Sequence, residues 1–175
     1  SEMCIRDRIT PTGVDRRSLD IEDLVLIRGN EREKGKVPSR SIRLHRAIYD
    51  HHPDINCIMM AQSPSAIVYA ISSSTFDTKS IPESYILLRD IPVIPYGTQY
   101  TNPDMIATAI SARVPVALIQ NDGILTTGES ILQAFDRLEV AEFSAKSLID
   151  TVNIGELVPI GPAEIRDLEA AFSLA

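Results

Sequence analysis

Short apolar runs separated by turn-forming residues predict the strands of this chain. Four such runs, at residues 24–27, 57–60, 116–119 and 124–127, are rich in Val, Ile, Leu and Met and short enough to be buried strands. The turn Asn121-Asp122-Gly123 separates the last two runs, so they predict a β-hairpin. The extended segment 91–97 contains two prolines, which favour a strand at the edge of a sheet.

Periodic apolar positions, together with start and stop residues, predict the helices. Five helices are expected at residues 39–52, 64–72, 102–112, 128–150 and 162–172. The longest of them has an apolar face made of Ile131, Ala134, Phe135, Leu138, Ala141 and Ala145. Pro64 suits the first position of a helix, so the preceding Ser63 is the expected N-cap. Residues 29–36 are charged and contain glycine, which predicts a loop.

The order of these elements predicts an α+β protein with a central, mainly antiparallel sheet and helices around it. A length of 175 residues, 44% of them hydrophobic, fits one domain with a filled core. We therefore expect residues 1–175 to form a single domain.

Charge and composition exclude several classes of partner. The formal net charge of −7 is unfavourable for binding nucleic acid or an acidic membrane surface. The sequence has no apolar run long enough to span a membrane and no signal-peptide pattern at its start, so a cytoplasmic protein is expected. Cys4 and Cys57 lie in apolar surroundings and are not spaced like zinc ligands, which indicates reduced, packed thiols.

Five segments, in this order and spacing, resemble the class II aldolase/adducin family. They are residues 9–27, 37–55, 58–70, 91–98 and 116–142, and together they cover most of the chain. The resemblance implies an α/β/α sandwich around a mainly antiparallel sheet, usually assembled as a cyclic tetramer. It also implies that this chain lacks the helices that family members carry before their first strand. The best-known enzymes of the family are sugar-phosphate aldolases, and related members dehydrate or epimerise sugar phosphates.

The resemblance also assigns the positions of a zinc site and a catalytic acid/base, and none of them holds the expected residue. Three zinc-binding histidines correspond to Ala61, Ser63 and Asp122, and the catalytic glutamate corresponds to Ser41. Alanine offers no donor atom and a neutral hydroxyl is a poor zinc ligand, which leaves one carboxylate. A serine does not act as a general base near neutral pH without a partner that takes its proton.

Other residues have two interpretations each. His51 and His52 precede Pro53, where a helix end favours imidazoles, so a helix-end pair is the simpler alternative to a relocated metal site. His45 lies on an apolar helix face, which favours a core or interface histidine. Asp122 before Gly123 is a good turn residue in its own right and also a possible metal ligand.

A phosphate-binding site is the feature that the resemblance leaves partly in place. The positions that match are Thr12, Gly13 and Ser39, and Arg40 replaces a second serine. A guanidinium beside hydroxyl groups and a helix start is a plausible anion site. The alternative is that Arg40 is a solvated residue at a helix start and that Thr12 and Gly13 form only a turn.

These observations give two functional hypotheses. The first is a non-catalytic member of the family, a ligand-binding or assembly protein; the head domain of adducin is a precedent for this fold without metal chemistry. It needs no cofactor, binds a phosphorylated or carboxylated small molecule, and forms a homo-oligomer, either a cyclic tetramer or a dimer. The alternative is a sugar-phosphate aldolase-type lyase, or a dehydratase, with a rebuilt zinc site.

Overall fold

A computed structural model of the chain describes residues 2–5, 8–29 and 31–174. Within these ranges, eight strands form one sheet: β1 (Glu2–Ile5), β2 (Arg8–Ile9), β3 (Val25–Arg28), β4 (Glu31–Arg32), β5 (Cys57–Ala61), β6 (Val93–Ile94), β7 (Val116–Ile119) and β8 (Gly123–Gly128). Their order across the sheet is β4-β3-β2-β1-β5-β8-β7-β6. All neighbouring pairs are antiparallel except β6 and β7, which confirms the expectation of a mainly antiparallel sheet.

Helices cover both faces of this sheet. The described α-helices are α1 (Ile42–His51), α2 (Ala66–Ile71), α3 (Pro82–Leu88), α4 (Thr98–Thr101), α5 (Pro103–Ala109), α6 (Ile131–Thr151) and α7 (Pro162–Ala171). None of these helices is both long and apolar enough to cross a membrane.

Alternation along the strands sends side chains into two cores. On β7, Ala117 and Ile119 join a cluster with residues of α1 and α5, whereas Val116 and Leu118 join a cluster with residues of α2, α3 and α6. Successive strand residues point to opposite faces, so one strand supplies both clusters. The result is the three-layer α/β/α sandwich that the family resemblance implies.

The hairpin between β7 and β8 forms as the Asp-Gly turn predicts. Ile119 pairs with Gly123, and Asn121 within the connection has a positive φ of 57°. A Cβ atom on Gly123 would collide with the carbonyl oxygen of Ala61 on β5. A glycine at this position therefore allows β5 and the start of β8 to approach closely.

Several element boundaries differ from the predictions. Helix α6 begins at Ile131 rather than at Gly128, because the Ser130 side chain accepts a hydrogen bond from the Gln133 backbone and Gly128 still belongs to β8. The predicted loop at 29–36 contains the short strand β4. Its two residues are charged and exposed at the edge of the sheet, so they show no apolar alternation from which a strand could be predicted. The prediction also missed helices α3 and α4, and α4, with four residues, is too short to show a period.

Candidate active site

The positions assigned by the family resemblance converge on one pocket. It has a volume of about 420 Å³ and lies where β5 ends, beside the hairpin turn and the residues that lead into α1. Its polar lining comes from Arg16, Arg40, Ser41, Gln62, Gln99 and Asp122. We call this cavity the site pocket.

Three of the four positions assigned to metal or acid/base chemistry line the site pocket. Ser41 contributes from just before α1, Ala61 from the end of β5, and Asp122 from the hairpin turn. The fourth, Ser63, is not part of the lining. The structure therefore brings together three of these four positions at one cavity.

Ser63 is bound to a carboxylate that the sequence analysis did not identify. Its hydroxyl donates to Glu142 on α6, and the same carboxylate accepts from the backbone N–H groups of Ser65, at 2.8 Å, and Ala66, at 3.0 Å. The prediction that the Ser63 side chain caps α2 is wrong, because a charged acceptor from α6 takes the free N–H groups instead. The Ser63 carbonyl accepts from the Ile67 N–H, so the residue still marks the start of the first turn.

The electrostatics of Glu142 follow from this arrangement. Partial burial raises the pKa of its carboxyl group, but the hydrogen bonds from Ser63, Ala66 and Ser65 together more than offset it, and the net pKa lies below its ordinary value of 4.5. Glu142 is therefore a charged acceptor at neutral pH, and it holds the turn between β5 and α2.

Asp122 has a different environment. Its Oδ2 atom accepts a hydrogen bond of 2.9 Å from Nε2 of Gln99, a buried residue of α4 that also lines the site pocket. Asp122 itself is partly exposed, so its carboxylate faces the site pocket while Gln99 supports it from the protein side. The turn interpretation of Asp122 is also satisfied, since its backbone N–H donates to Ile119.

Ser41 is buried against another serine. Its Oγ lies 3.1 Å from Oγ of Ser39, and its carbonyl accepts the N–H of His45 one turn later in α1. Arg40 between the two serines is exposed, and it is the one of the predicted anion-binding residues that lines the site pocket.

Backbone hydrogen bonds join the two segments of the predicted anion site. The Thr12 N–H donates to Val37 at 3.0 Å, and the Ser39 N–H donates to Thr10 at 3.0 Å. Gly13 has a positive φ of 77°, as the turn prediction requires. Thr12 and Gly13 are exposed and, like Ser39, are not part of the pocket lining, so their role in anion binding stays a prediction.

The residues present do not fit a zinc ion. Ala61 has no donor atom and the Ser63 hydroxyl donates to Glu142, which leaves Asp122 as the one good ligand among the assigned positions. Within the described ranges, no group of three His, Cys, Asp or Glu side chains is placed to hold a metal ion.

The remaining histidines are engaged elsewhere. His51 bonds through Nδ1 to the carbonyl of Ala47, and His52 bonds through Nε2 to the carbonyl of Ala107 in α5. The His51 contact lies within the last turn of α1, as the helix-end interpretation expects, whereas the His52 contact links the end of α1 to α5. His45 is buried on the core side of α1.

Sequence reasoning missed four residues of this region. Arg16, Gln99 and Glu142 reach the site from segments far along the chain, and no local pattern indicates those contacts. Gln62 offered a signal, because it lies between the two positions assigned to metal ligands.

A family model named class II aldolase and adducin N-terminal domain matches residues 6–149. The L-fuculose phosphate aldolase of Escherichia coli K12 is 28% identical over 160 residues, which cover 87% of this chain and 72% of the relative. The enzyme of the same name from Methanococcus maripaludis is 32% identical over 154 residues, covering 85% of this chain and 81% of the relative.

Solved structures agree with the sequence match. An L-fuculose 1-phosphate aldolase superposes with a TM-score of 0.84 at 26% identity, covering 98% of this chain and 85% of that one. The resemblance identified from five sequence segments is thus confirmed by the sheet topology, by the family model and by the solved fold. This chain belongs to the class II aldolase and adducin family.

Proposed function

We propose that this protein binds a small phosphorylated or carboxylated molecule in the site pocket and does not cleave it by aldol chemistry. The observation that supports this proposal most directly is the composition of the pocket wall. Two arginines and two amides meet there, beside an alanine and a serine at positions where the family resemblance implies a metal ligand and an acid/base.

Arg16 and Arg40 supply the positive charge for an anionic ligand. A guanidinium binds phosphate or carboxylate through two parallel hydrogen bonds, a geometry that lysine does not offer. The chain as a whole carries a net charge of −7, whereas these two side chains place two positive charges in the wall of the site pocket. An anion attracted to this protein would bind best where they meet.

Among the described residues, the same wall lacks the metal ligands and the acid/base that the family resemblance implies for aldol cleavage. Breaking a carbon–carbon bond next to a carbonyl leaves an enediolate, which a metal ion or another electrophile has to stabilise. Asp122 is an anion and would oppose that charge rather than stabilise it. Ser41, at the acid/base position, has the Ser39 hydroxyl as its side-chain partner among the described residues, and a hydroxyl does not take its proton near neutral pH.

The alternative function is a sugar-phosphate aldolase with a rebuilt site. The names of the relatives and the exposure of Asp122 to the site pocket support it. Under this alternative, Asp122 contributes to a metal site that is completed by residues from elsewhere. Replacing Asp122 by alanine would then abolish sugar-phosphate cleavage, measured with a coupled assay on a panel of ketose phosphates.

Titration calorimetry on the wild-type protein tests the proposed function. We expect inorganic phosphate and glycerol 3-phosphate to bind, and Arg40→Gln to weaken both at least about tenfold, a loss of about 1.4 kcal/mol. Arg43→Gln is the matched control, because Arg43 is exposed on the next turn and does not line the site pocket. Stoichiometric zinc in the purified protein, together with cleavage of a sugar phosphate, would contradict the proposal.

We also propose that the protein is a cytoplasmic homo-oligomer. The family resemblance supports assembly, and α6 keeps large apolar side chains on its surface: Leu132 is 68% exposed and Phe143 is 60% exposed. Apolar side chains mark a contact surface when they form a contiguous patch, and Leu132 lies one helical turn from Phe135, which is 48% exposed. Sedimentation equilibrium measures the assembly state directly, and a monomer at micromolar concentration would contradict this part.

A further inference from the structure

The residue that supports Asp122 has one buried polar atom without a partner among the described residues. The Gln99 side chain donates through Nε2 to Asp122, but its Oε1 atom is buried and accepts no hydrogen bond from the residues that the structure describes. Gln99 as a whole is only 3% exposed and lies in the wall of the site pocket. One end of this amide is therefore satisfied, while the other is not.

The neighbouring carboxylate fixes which way the amide points. An ionised carboxylate only accepts hydrogen bonds, so the NH₂ group of Gln99 has to face Asp122 and the carbonyl has to face away. Turning the amide over would place two acceptors against each other. The unpaired carbonyl is thus a direct consequence of holding Asp122 in place.

This arrangement is costly for the fold. A buried acceptor without a donor is destabilising, whereas a methionine of similar length would fill the same space without polar atoms. Asp122 is partly exposed and does not need Gln99 to remain solvated. Stability alone therefore does not explain an amide at this position, and a buried polar atom left unpaired calls for an explanation such as a role at a ligand site.

We propose that Gln99 is a positioning residue that orients Asp122 to read hydroxyl groups on the ligand. This inference rests on the proposed function, in which the arginines hold the anionic end. The carboxylate of Asp122 keeps free acceptor capacity beside the bond to Gln99, and a ligand hydroxyl is the donor that it fits. The site pocket accordingly selects hydroxylated anions over bare anions of the same charge.

The experiment compares two probes, inorganic phosphate and glycerol 3-phosphate, by titration calorimetry. Both carry a phosphate group, but only the second carries alcohol hydroxyl groups. We expect the wild-type protein to prefer glycerol 3-phosphate about tenfold, as one good hydrogen bond to a charged group allows. Gln99→Met and Asp122→Ala should each reduce that ratio to about one, and the double variant should reduce it no further.

Thermal unfolding separates positioning from a structural role. Gln99→Met removes the unpaired carbonyl, so its Tm should equal or exceed that of the wild-type protein. Gln133→Met is the control: the Gln133 side chain accepts from the Glu129 N–H at the start of α6, so this variant should lower Tm and leave the ratio unchanged.

Each other outcome overturns a defined part of the account. If both probes bind and Gln99→Met keeps the wild-type ratio, the positioning role is wrong while the proposed function stands. A lower Tm with that unchanged ratio would identify Gln99 as a structural residue. If neither probe binds the wild-type protein, the proposed function fails and this inference fails with it.

Discussion

Ser63 and Asp122 occupy two positions that the family resemblance assigns to zinc ligands, yet the structure uses them in opposite ways. Ser63 lies outside the site pocket, and its hydroxyl is tied to the Glu142 carboxylate that also holds the start of α2. Asp122 faces the site pocket, and its only described side-chain partner, Gln99, is itself left with an unpaired carbonyl.

The difference indicates which of these two assigned positions serves the fold and which is open to a ligand. At Ser63 the polar groups are paired within the protein, as is typical of a structural network. The Asp122 carboxylate can still accept hydrogen bonds from a ligand, and it lines the same pocket as two arginines. Changes near Ser63 should therefore alter stability, and changes near Asp122 should alter binding.

The largest expected effect comes from Gly123, which lets β5 and β8 approach beside Asp122. Gly123→Ala places a Cβ against the carbonyl oxygen of Ala61, a backbone atom that does not move aside easily. We expect a loss of about 3 kcal/mol in the free energy of unfolding, measured by urea denaturation.

Gly155→Ala is the matched control for that variant. Gly155 has no atoms within 4 Å of an added Cβ, so its substitution should leave stability unchanged. Equal stability of the two alanine variants would show that the close approach does not constrain the site.

The next largest effect is expected at Glu142. Glu142→Ala removes the acceptor of three hydrogen bonds and should cost about 2 kcal/mol in the free energy of unfolding. Phosphate affinity of the folded protein should not change, because Glu142 does not line the site pocket. Glu139→Ala, on the exposed face of the same helix, should have no effect on either quantity.

If Glu142→Ala lost phosphate binding with little change in stability, the assignment of Ser63 and Glu142 to a purely structural role would be wrong. These two residues would then also contribute to ligand binding.

A smaller effect is expected at Ser63 itself. Ser63→Ala removes one of the three donors to Glu142 and leaves both backbone N–H groups in place, so about 1 kcal/mol should be lost. In the Glu142→Ala background the same substitution should cost almost nothing, since its partner is gone. Additive losses in thermal unfolding would argue that Ser63 has another role.

The smallest effect is a pH dependence. The pKa of Glu142 is lower in the folded chain than its ordinary value of 4.5, so its contribution to stability is complete above that value and disappears as the pH falls through the folded pKa. The stability difference between the wild-type protein and Glu142→Gln should therefore be constant at neutral pH and shrink below about pH 4. A difference that grows on acidification would contradict the assigned direction.

Local sequence patterns predicted the elements that form the site but not the contacts between them. The apolar runs and the Asp122-Gly123 turn gave the hairpin and the central strands, because burial and turn chemistry act on neighbouring residues. Ser63 was assigned as a cap for the same local reason, and the assignment failed because Glu142, 79 residues further on, is the stronger acceptor.

The candidate site shows the same limit. Ser41, Ala61 and Asp122 were found through the family resemblance, which fixes positions along the chain. Gln99 and Arg16 carry no local signal, since their importance comes from where the fold places them. Short elements such as α4, only four residues long, leave no period to read.

The most direct test of the central claim is a measurement of bound zinc per chain, by mass spectrometry of the protein purified and dialysed in zinc-containing buffer. We expect far less than one zinc per chain, and a Tm that a chelator does not change. One tightly held zinc per chain, lost in Asp122→Ala, would contradict it and would restore the metal-dependent aldolase as the better explanation.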